Sequence, residues 1–510
     1  MLRSKSVGLR LVLAFLISLV LVPIGAVTAA KVASPVLVSG PSPFASCTVG
    51  GGPGAINYTN AEVEPFVAVN PANSKNIIGV WQQDRWNDGG SHGLVAGYST
   101  NGGKTWNETP QPFTACAPGG LPYERASDPW VSFGPDGTAY SISISFNESN
   151  NNNAVAAAVS TDGGRTWKNL NVIIADNQPN FQFFNDKESI TADPIKAGTA
   201  YAVWDRLETP NGNPRASHNT SAFTGPTYFS MTTDFGATWS TPKIIVSTSQ
   251  HVQTIGNQIV VNQQTGTLYD FFNYIHSPDS APYNVAFVKS TDGGATWTQP
   301  QTVASILTVG VIDPNNGFQI RTGDIIPEPA IDPKTGQLYA VWQDSRFNGG
   351  HFDEVALSTS TDGGATWSTP IRVNTPTGKA AFTPTVKVSS DGTVGVTYYD
   401  FRTLQAGNTT TLPTDYWFTT STNGGASFGN ETHLAGSFDM LTAPNAVGFF
   451  VGDYEGLDAA GTTFYPFFVQ ANSGNAANRT DVFVTSIAPA TANTSTSSSQ
   501  SVEPTFQPPQ

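Results

Sequence analysis

Charge is scarce in this sequence: Lys, Arg, Asp and Glu make up 12% of its 510 residues, against about 25% in an average soluble protein. A solvated surface must then be built from hydroxyls and amides. Net charge is −14, or −17 without the three N-terminal cations Arg3, Lys5 and Arg10, which argues against nucleic acid or an anionic membrane as partner. Cysteine is nearly absent, with two residues, Cys47 and Cys116, so a disulfide-dense scaffold and a cysteine-built zinc site are both excluded. The six histidines show no HExxH or other ligand spacing, and neither metal nor other cofactor is expected. "GGKT" at 102–105 resembles the end of a phosphate loop, but Tyr98 stands where that loop needs its first glycine.

Long apolar runs are also missing, with one exception. "LVLAFLISLVLV" follows the three N-terminal cations and precedes the small residues "AVTAA", the pattern of a secretory signal peptide over residues 1–30. No later segment is long enough to span a bilayer. The mature protein is expected to be secreted and monomeric. In an oxidising compartment Cys47 and Cys116 are expected to pair.

What is abundant is repetition. "STDGGATW" stands at 290–297 and again at 360–367, with variants starting at Ser99, Ser160, Thr232 and Ser421. Each copy lies between strand-like stretches, so it reads as a hairpin turn. Its acidic residue accepts from turn amides and hydroxyls, its second glycine permits a positive φ, and its aromatic packs inward. Asp162, Asp234, Asp292 and Asp362 fill the acceptor position in four copies, and Asn101 and Asn423 in two. An amide keeps the acceptor and loses the charge, which suits a structural role and not a catalytic one.

Between the octapeptides a second element recurs seven times: a strand, a tight turn such as "PDG" or "KTG", and an aromatic-rich strand. Each unit is expected to contain four antiparallel strands, with the octapeptide between the third and fourth. The seventh unit lacks a fourth strand, and "ASPVLVSG" from Ala33 resembles the missing one. The expectation is an all-β, seven-bladed β-propeller over residues 31–488, closed by the N-terminal strand. Six blades is the alternative. The tail 489–510, "TANTSTSSSQSVEPTFQPPQ" at its core, is too polar to fold and is read as a disordered spacer.

In this topology the octapeptides share one face, and the long, irregular connections share the other. The scarce charges gather on that second face. Second strands end in Asp84–Arg85, Asp205–Arg206, Asp344 with Arg346, and Asp400 with Arg402. First strands begin with Glu62 and Glu64, Arg125 and Asp128, Asp186 and Glu188, Asp324 and Glu328, then Asp453, Tyr454 and Glu455; Arg321 lies nearby. The recurring Asp–Arg pairs also fit a plain bracing role between neighbouring units.

The octapeptide resembles the Asp-box, Ser-x-Asp-x-Gly-x-Thr-Trp, of the sialidase (neuraminidase) superfamily of propellers, whose units are also called BNR repeats. The resemblance implies a glycosidase that clamps an anionic sugar with arginines, attacks with a Tyr assisted by a Glu, and protonates the leaving group with an Asp. On that reading Arg85, Arg125, Arg206, Arg346 and Arg402 are candidates for substrate binding. Tyr454 with Glu455 or Glu188 are candidates for the nucleophile pair, and Asp128 or Asp84 for the acid. The family's Phe/Tyr-Arg-Ile-Pro motif is absent, "VEPFVAV" taking its place, and the family's catalytic domain has six blades. Two readings follow: a secreted sialidase-like exo-glycosidase acting on extracellular glycans or glycoproteins, or a non-catalytic propeller that binds glycan or protein.

Overall fold

The computed structural model describes residues 31–177, 183–208, 224–249, 251–276 and 283–488. The expected signal peptide 1–30, the tail 489–510 and most of the long loop 207–226 lie outside them. Val32–Ala488 is one compact unit, and among the described residues no helix is long and apolar enough to cross a membrane.

The chain is all-β, and its strands run antiparallel to their predecessors in seven successive meanders. Six of them contribute four strands each from the segments 57–110, 125–176, 183–246, 252–306, 328–372 and 381–439. The seventh contributes three, Gly456–Ala460, Thr463–Ala471 and Thr480–Val484. Its fourth partner is the N-terminal strand Val36–Leu37, where Val36 faces Val484 and Leu37 faces Phe483. Hydrogen bonding does not run round the described residues as a single closed sheet. A small three-stranded sheet, Val311–Ile312, Gln319–Arg321 and Phe449–Phe450, sits outside the meanders.

Burial follows position within each meander. The second strand Ile77–Trp86 and the third strand Asn153–Ser160 are buried at every residue, because neighbouring meanders cover both their faces. The fourth strand Lys168–Asp176 is largely open. Trp81, Trp204 and Trp342 take equivalent places in three second strands, and each indole N–H finds a buried acceptor: Gln83 Oε1 at 2.9 Å, Asn185 Oδ1 at 2.9 Å and Asp344 Oδ2 at 2.7 Å. Satisfying that donor is what allows so large a ring inside.

First strands lie innermost. Each touches the next in chain order, and Gly456–Ala460 touches Asn57–Val69. A cavity of 570 Å³ is lined by all seven, with Val67, Val131, Ile190, Ile259, Ala330, Val386 and Leu457 as one wall residue from each. Between the last and first meanders the Phe467 ring lies on the Gly79 backbone so closely that a Cβ there would be 2.0 Å from the ring. Val69 N also donates to Asp458 Oδ2 at 2.7 Å, and Thr480 Oγ1 to Glu62 O at 2.8 Å.

The octapeptides form the same turn in every copy. In the copy from Ser290, Ser290 Oγ donates to Asp292 Oδ1 at 2.8 Å, Thr296 N to Oδ1 at 2.9 Å and Thr296 Oγ1 to Oδ2 at 2.6 Å. Hydroxyl and amide donors together hold Asp292 and Asp362 down to about 2. With Asn101 the last bond reverses, its amide donating to Thr105 Oγ1 at 2.8 Å, and Asn423 does likewise to Ser427. The octapeptides meet the turns between first and second strands, as where Gly102 N donates to Lys75 O at 2.9 Å. Cys47 and Cys116 are bridged across 69 residues, with Cα atoms 5.6 Å apart, which stabilises the fold by about 4 kcal/mol in the chain-entropy model.

Candidate functional site

At the ends of the first strands away from the octapeptides, the backbone departs from regular pairing in a repeated way. Register shifts occur between Val63 and Phe66, Ser127 and Trp130, Asp186 and Ser189, Ile255 and Gln258, and Phe382 and Thr385. Inside each shift one residue takes a left-handed φ: Glu64 at 53°, Asp128 at 52°, Lys187 at 48°, Gly256 at 73° and Thr383 at 48°. Bulges of this kind turn a side chain out of the strand's alternation. For a residue other than glycine the conformation costs on the order of 1–3 kcal/mol and persists only where the surroundings enforce it.

Here the bulges collect charge. Lys187 Nζ lies 2.8 Å from Asp453 Oδ2, 3.1 Å from Asp128 Oδ1 and 3.4 Å from Glu64 Oε1. Arg321, from the small sheet, grips Asp453 with Nε at 3.0 Å from Oδ1 and Nη2 at 2.5 Å from Oδ2. Gln82 donates to Glu64 Oε2 and, at 3.0 Å, to Ser127 Oγ. Phe450 lies under both Arg85 and Arg321, at 5.0 and 4.4 Å from the guanidinium carbons. Below Lys187, at 5.8 Å, is the ring of Tyr454, packed against Trp130 and Phe66 at 5.1 and 6.4 Å.

Environment pushes these carboxyls apart. Burial, with Asp128 and Asp453 adding to it against Lys187, raises Glu64 to about 8. Burial and Asp128 raise Asp186 to about 7. Burial also acts on Asp453, but Arg321 and Lys187 outweigh it and hold that carboxylate well below the usual range. Glu188 and Asp205 are raised by burial, and among the described residues neither carboxyl has a donor in full hydrogen-bond geometry.

The structure thus brings Asp128, Glu188, Tyr454 and Arg85 of the sequence candidates to one cluster, and takes the others elsewhere. Tyr454 is buried, with its hydroxyl 3.4 Å from Pro129 O. Glu455, just before the strand Gly456–Ala460, meets a different group and accepts from Val469 N at 3.3 Å. Asp84 holds the N-terminal segment, accepting from Ser42 Oγ at 2.6 Å and Asn60 N at 2.9 Å. The remaining arginines form no clamp. Arg125 is fully buried on Gly50 O, Gly89 O and Asp88. Arg206 pairs with Asp176, Arg346 with Asp344 at 2.7 Å, and Arg402 with Asp400 at 2.5 Å and Glu431 at 2.6 Å. Lys187, the centre of the cluster, had no role in the sequence reading, and Glu64, Asp453 and Arg321 were noted there only as charges near strand starts. Aligning the bulge positions, "EPF" at 64, "DPW" at 128, "KES" at 187 and "TPT" at 383, is the signal that finds it.

Among the described residues no group of His, Cys, Asp and Glu is arranged to hold a metal ion. What the cluster offers is a buried carboxyl held toward its acid form beside one held toward its anion, an arrangement suited to acid–base chemistry.

Residues 226–326 match the family model described as a BNR repeat-like domain, which bears out the Asp-box resemblance over that segment. No curated protein matches the chain. Among solved structures the chain is similar to a protein of unknown function from Dyadobacter fermentans DSM 18053, at 13% identity and TM-score 0.48, covering 90% of this chain and 99% of that one. It is similar to a Hadza microbial sialidase, at 15% identity and TM-score 0.47, covering 81% and 74%. It is also similar to an α-L-arabinofuranosidase from Fusarium graminearum, at 14% identity and TM-score 0.44, covering 72% and 93%.

Proposed function

We propose that the seven meanders are the blades of a seven-bladed propeller closed by Val36–Leu37, exported after loss of residues 1–30, and that the cluster round Lys187 hydrolyses extracellular glycans. The ring is supported by the consecutive contacts of the first strands, the return contact from the last to the first, and a cavity that all seven line.

The chemistry rests on one observation: Glu64, raised to about 8, and Asp453, held ionised, share a single ammonium group. In this reading Glu64 gives its proton to the glycosidic oxygen as the anomeric C–O bond breaks, Asp453 stabilises the positive charge that builds on the sugar, and a water adds to the anomeric carbon and returns its proton to Glu64. The substrate is an uncharged sugar. A sialoside needs an accessible free cation for its carboxylate, whereas Arg321 and Lys187 already hold Asp453 and Arg85 is buried against Gln82 and Phe450.

Turnover of neutral aryl furanosides and pyranosides, beside an aryl sialoside, tests this. Activity on a neutral glycoside is expected, falling on the order of 10²-fold or more in Glu64→Gln. Turnover of the sialoside alone contradicts it. Glycan binding without any turnover establishes the second reading, a binding propeller, which the local pairing of Arg206, Arg346 and Arg402 favours.

A further inference from the structure

One hydroxyl stands between two carboxyl groups on the long connection before the fifth meander. Thr308 Oγ1 lies 2.6 Å from Asp353 Oδ2 and 2.7 Å from Asp324 Oδ2, both full hydrogen-bond distances for oxygen pairs. Threonine has one hydroxyl proton, so it donates to one carboxyl only. The second contact requires that carboxyl to donate to the threonine oxygen. One of the two aspartates is therefore held as the acid.

Among the described residues no cation pairs with either carboxyl in place of that proton. The charged neighbour of Asp324 is Asp453 and that of Asp353 is Asp324, both acidic. Asp353 is fully buried and accepts further from Val309 N at 2.9 Å and Gln343 Nε2 at 3.1 Å. Other charges packed round the connection are already engaged: Arg346 with Asp344, Arg321 with Asp453, and Asp313 with the Asn315 amide at 2.9 Å.

The same connection carries Arg321 to the axial cluster. Its start is pinned where Leu307 N donates to Asp344 Oδ2 at 3.1 Å, where Val309 N meets Asp353, and where Gly310 N donates to Thr308 Oγ1 at 3.1 Å. Two of these three anchors depend on the Thr308–Asp353 pair.

We propose that Asp324, Thr308 and Asp353 are a proton-held latch on residues 307–326: one shared proton pins the connection, and its loss sets two carboxylates against one hydroxyl, loosening the segment that brings Arg321 to Asp453. Burial, with Asp324 adding to it, raises Asp353 to about 6, and burial raises Asp324, so the latch is closed in acid and opens as pH climbs past about 6. That the latch governs glycan turnover rests on the functional reading above. The latch itself is measured on the free protein, so the two fail separately.

Hydrogen–deuterium exchange of peptides within 307–326 in the full chain, corrected for the intrinsic pH dependence of exchange, tests it. Between about pH 5 and about pH 8 the wild-type protection is expected to fall roughly tenfold or more, and Asp324→Asn, whose amide donates to Thr308 Oγ1 as the acid does, keeps it. Asp324 is only half-buried, so the substitution leaves the packing round Asp353 and its bonds from Val309 N and Gln343 Nε2 in place. Protection that does not change with pH in the wild type, or that falls equally in Asp324→Asn, overturns the latch.

Discussion

Lys187 Nζ lies 2.8 Å from Asp453 Oδ2, a contact between residues 266 positions apart. It ties the start of the third meander to the approach of the seventh, and Asp128 and Glu64 complete the ring round the same ammonium from the second and first.

Removing that ammonium strands buried carboxyls. Lys187→Met is expected to cost about 3–5 kcal/mol, the usual effect of breaking a buried ion pair from one side. Urea unfolding at neutral pH measures it.

Stability is expected to peak on the acid side. Glu64 and Glu328 are raised to about 8, Asp186 to about 7, and Asp353 and Asp400 to about 6, burial being the first cause in each. A carboxyl raised on folding contributes stability that is fully present below its unfolded pKa, near 4, and is lost as pH rises through the folded value. The melting temperature should therefore fall between about pH 4.5 and about pH 8, and Glu328→Gln should flatten that slope. Asp292, Asp362 and Asp453 have the opposite sign and weaken the fold only as pH drops below about 4. A thermal-melt series across pH checks both limbs.

The octapeptide is a clasp, so its chemistry tolerates loss of charge but not loss of an acceptor. Asp292→Asn should melt close to the wild type, since Asn101 and Asn423 already close the same turn. Asp292→Ala should melt lower, while leaving any glycoside turnover unchanged at temperatures where it is folded.

Phe467 covers Gly79 where the last meander meets the first. Gly79→Ala is expected to cost roughly 1–3 kcal/mol through overpacking, and Phe467→Ala about 3–5 kcal/mol through the void it leaves. If the double variant is less destabilised than the two singles combined, the ring and the glycine share one seam. Strict additivity would place them in separate environments.

Much of this architecture was legible because it is repeated. Six octapeptides mark six hairpins, and Ala33–Gly40 could be recognised as a strand because it resembles the fourth strands elsewhere. The Cys47–Cys116 bridge followed from there being one possible pair. The charge cluster was harder to read for a physical reason. A left-handed bulge is occupied by Glu64, Asp128, Lys187, Gly256 and Thr383 in turn, residue types that share no chemistry, so no composition rule announces which of them meet. Arginines were over-read for the converse reason. Arg346 beside Asp344, or Arg402 beside Asp400, looks the same in sequence whether the guanidinium faces a ligand or folds back on its neighbour, and here it folds back.

Carbon-13 NMR titration of the side-chain carboxyls, with Glu64 assigned by its disappearance in Glu64→Gln, addresses the acid and the anion at Lys187 directly. Glu64 is expected to titrate near 8, with Asp453 still ionised throughout the range above about pH 4. A Glu64 midpoint near 4.5, the ordinary glutamate value, would remove the proton donor and with it the hydrolytic reading of the site.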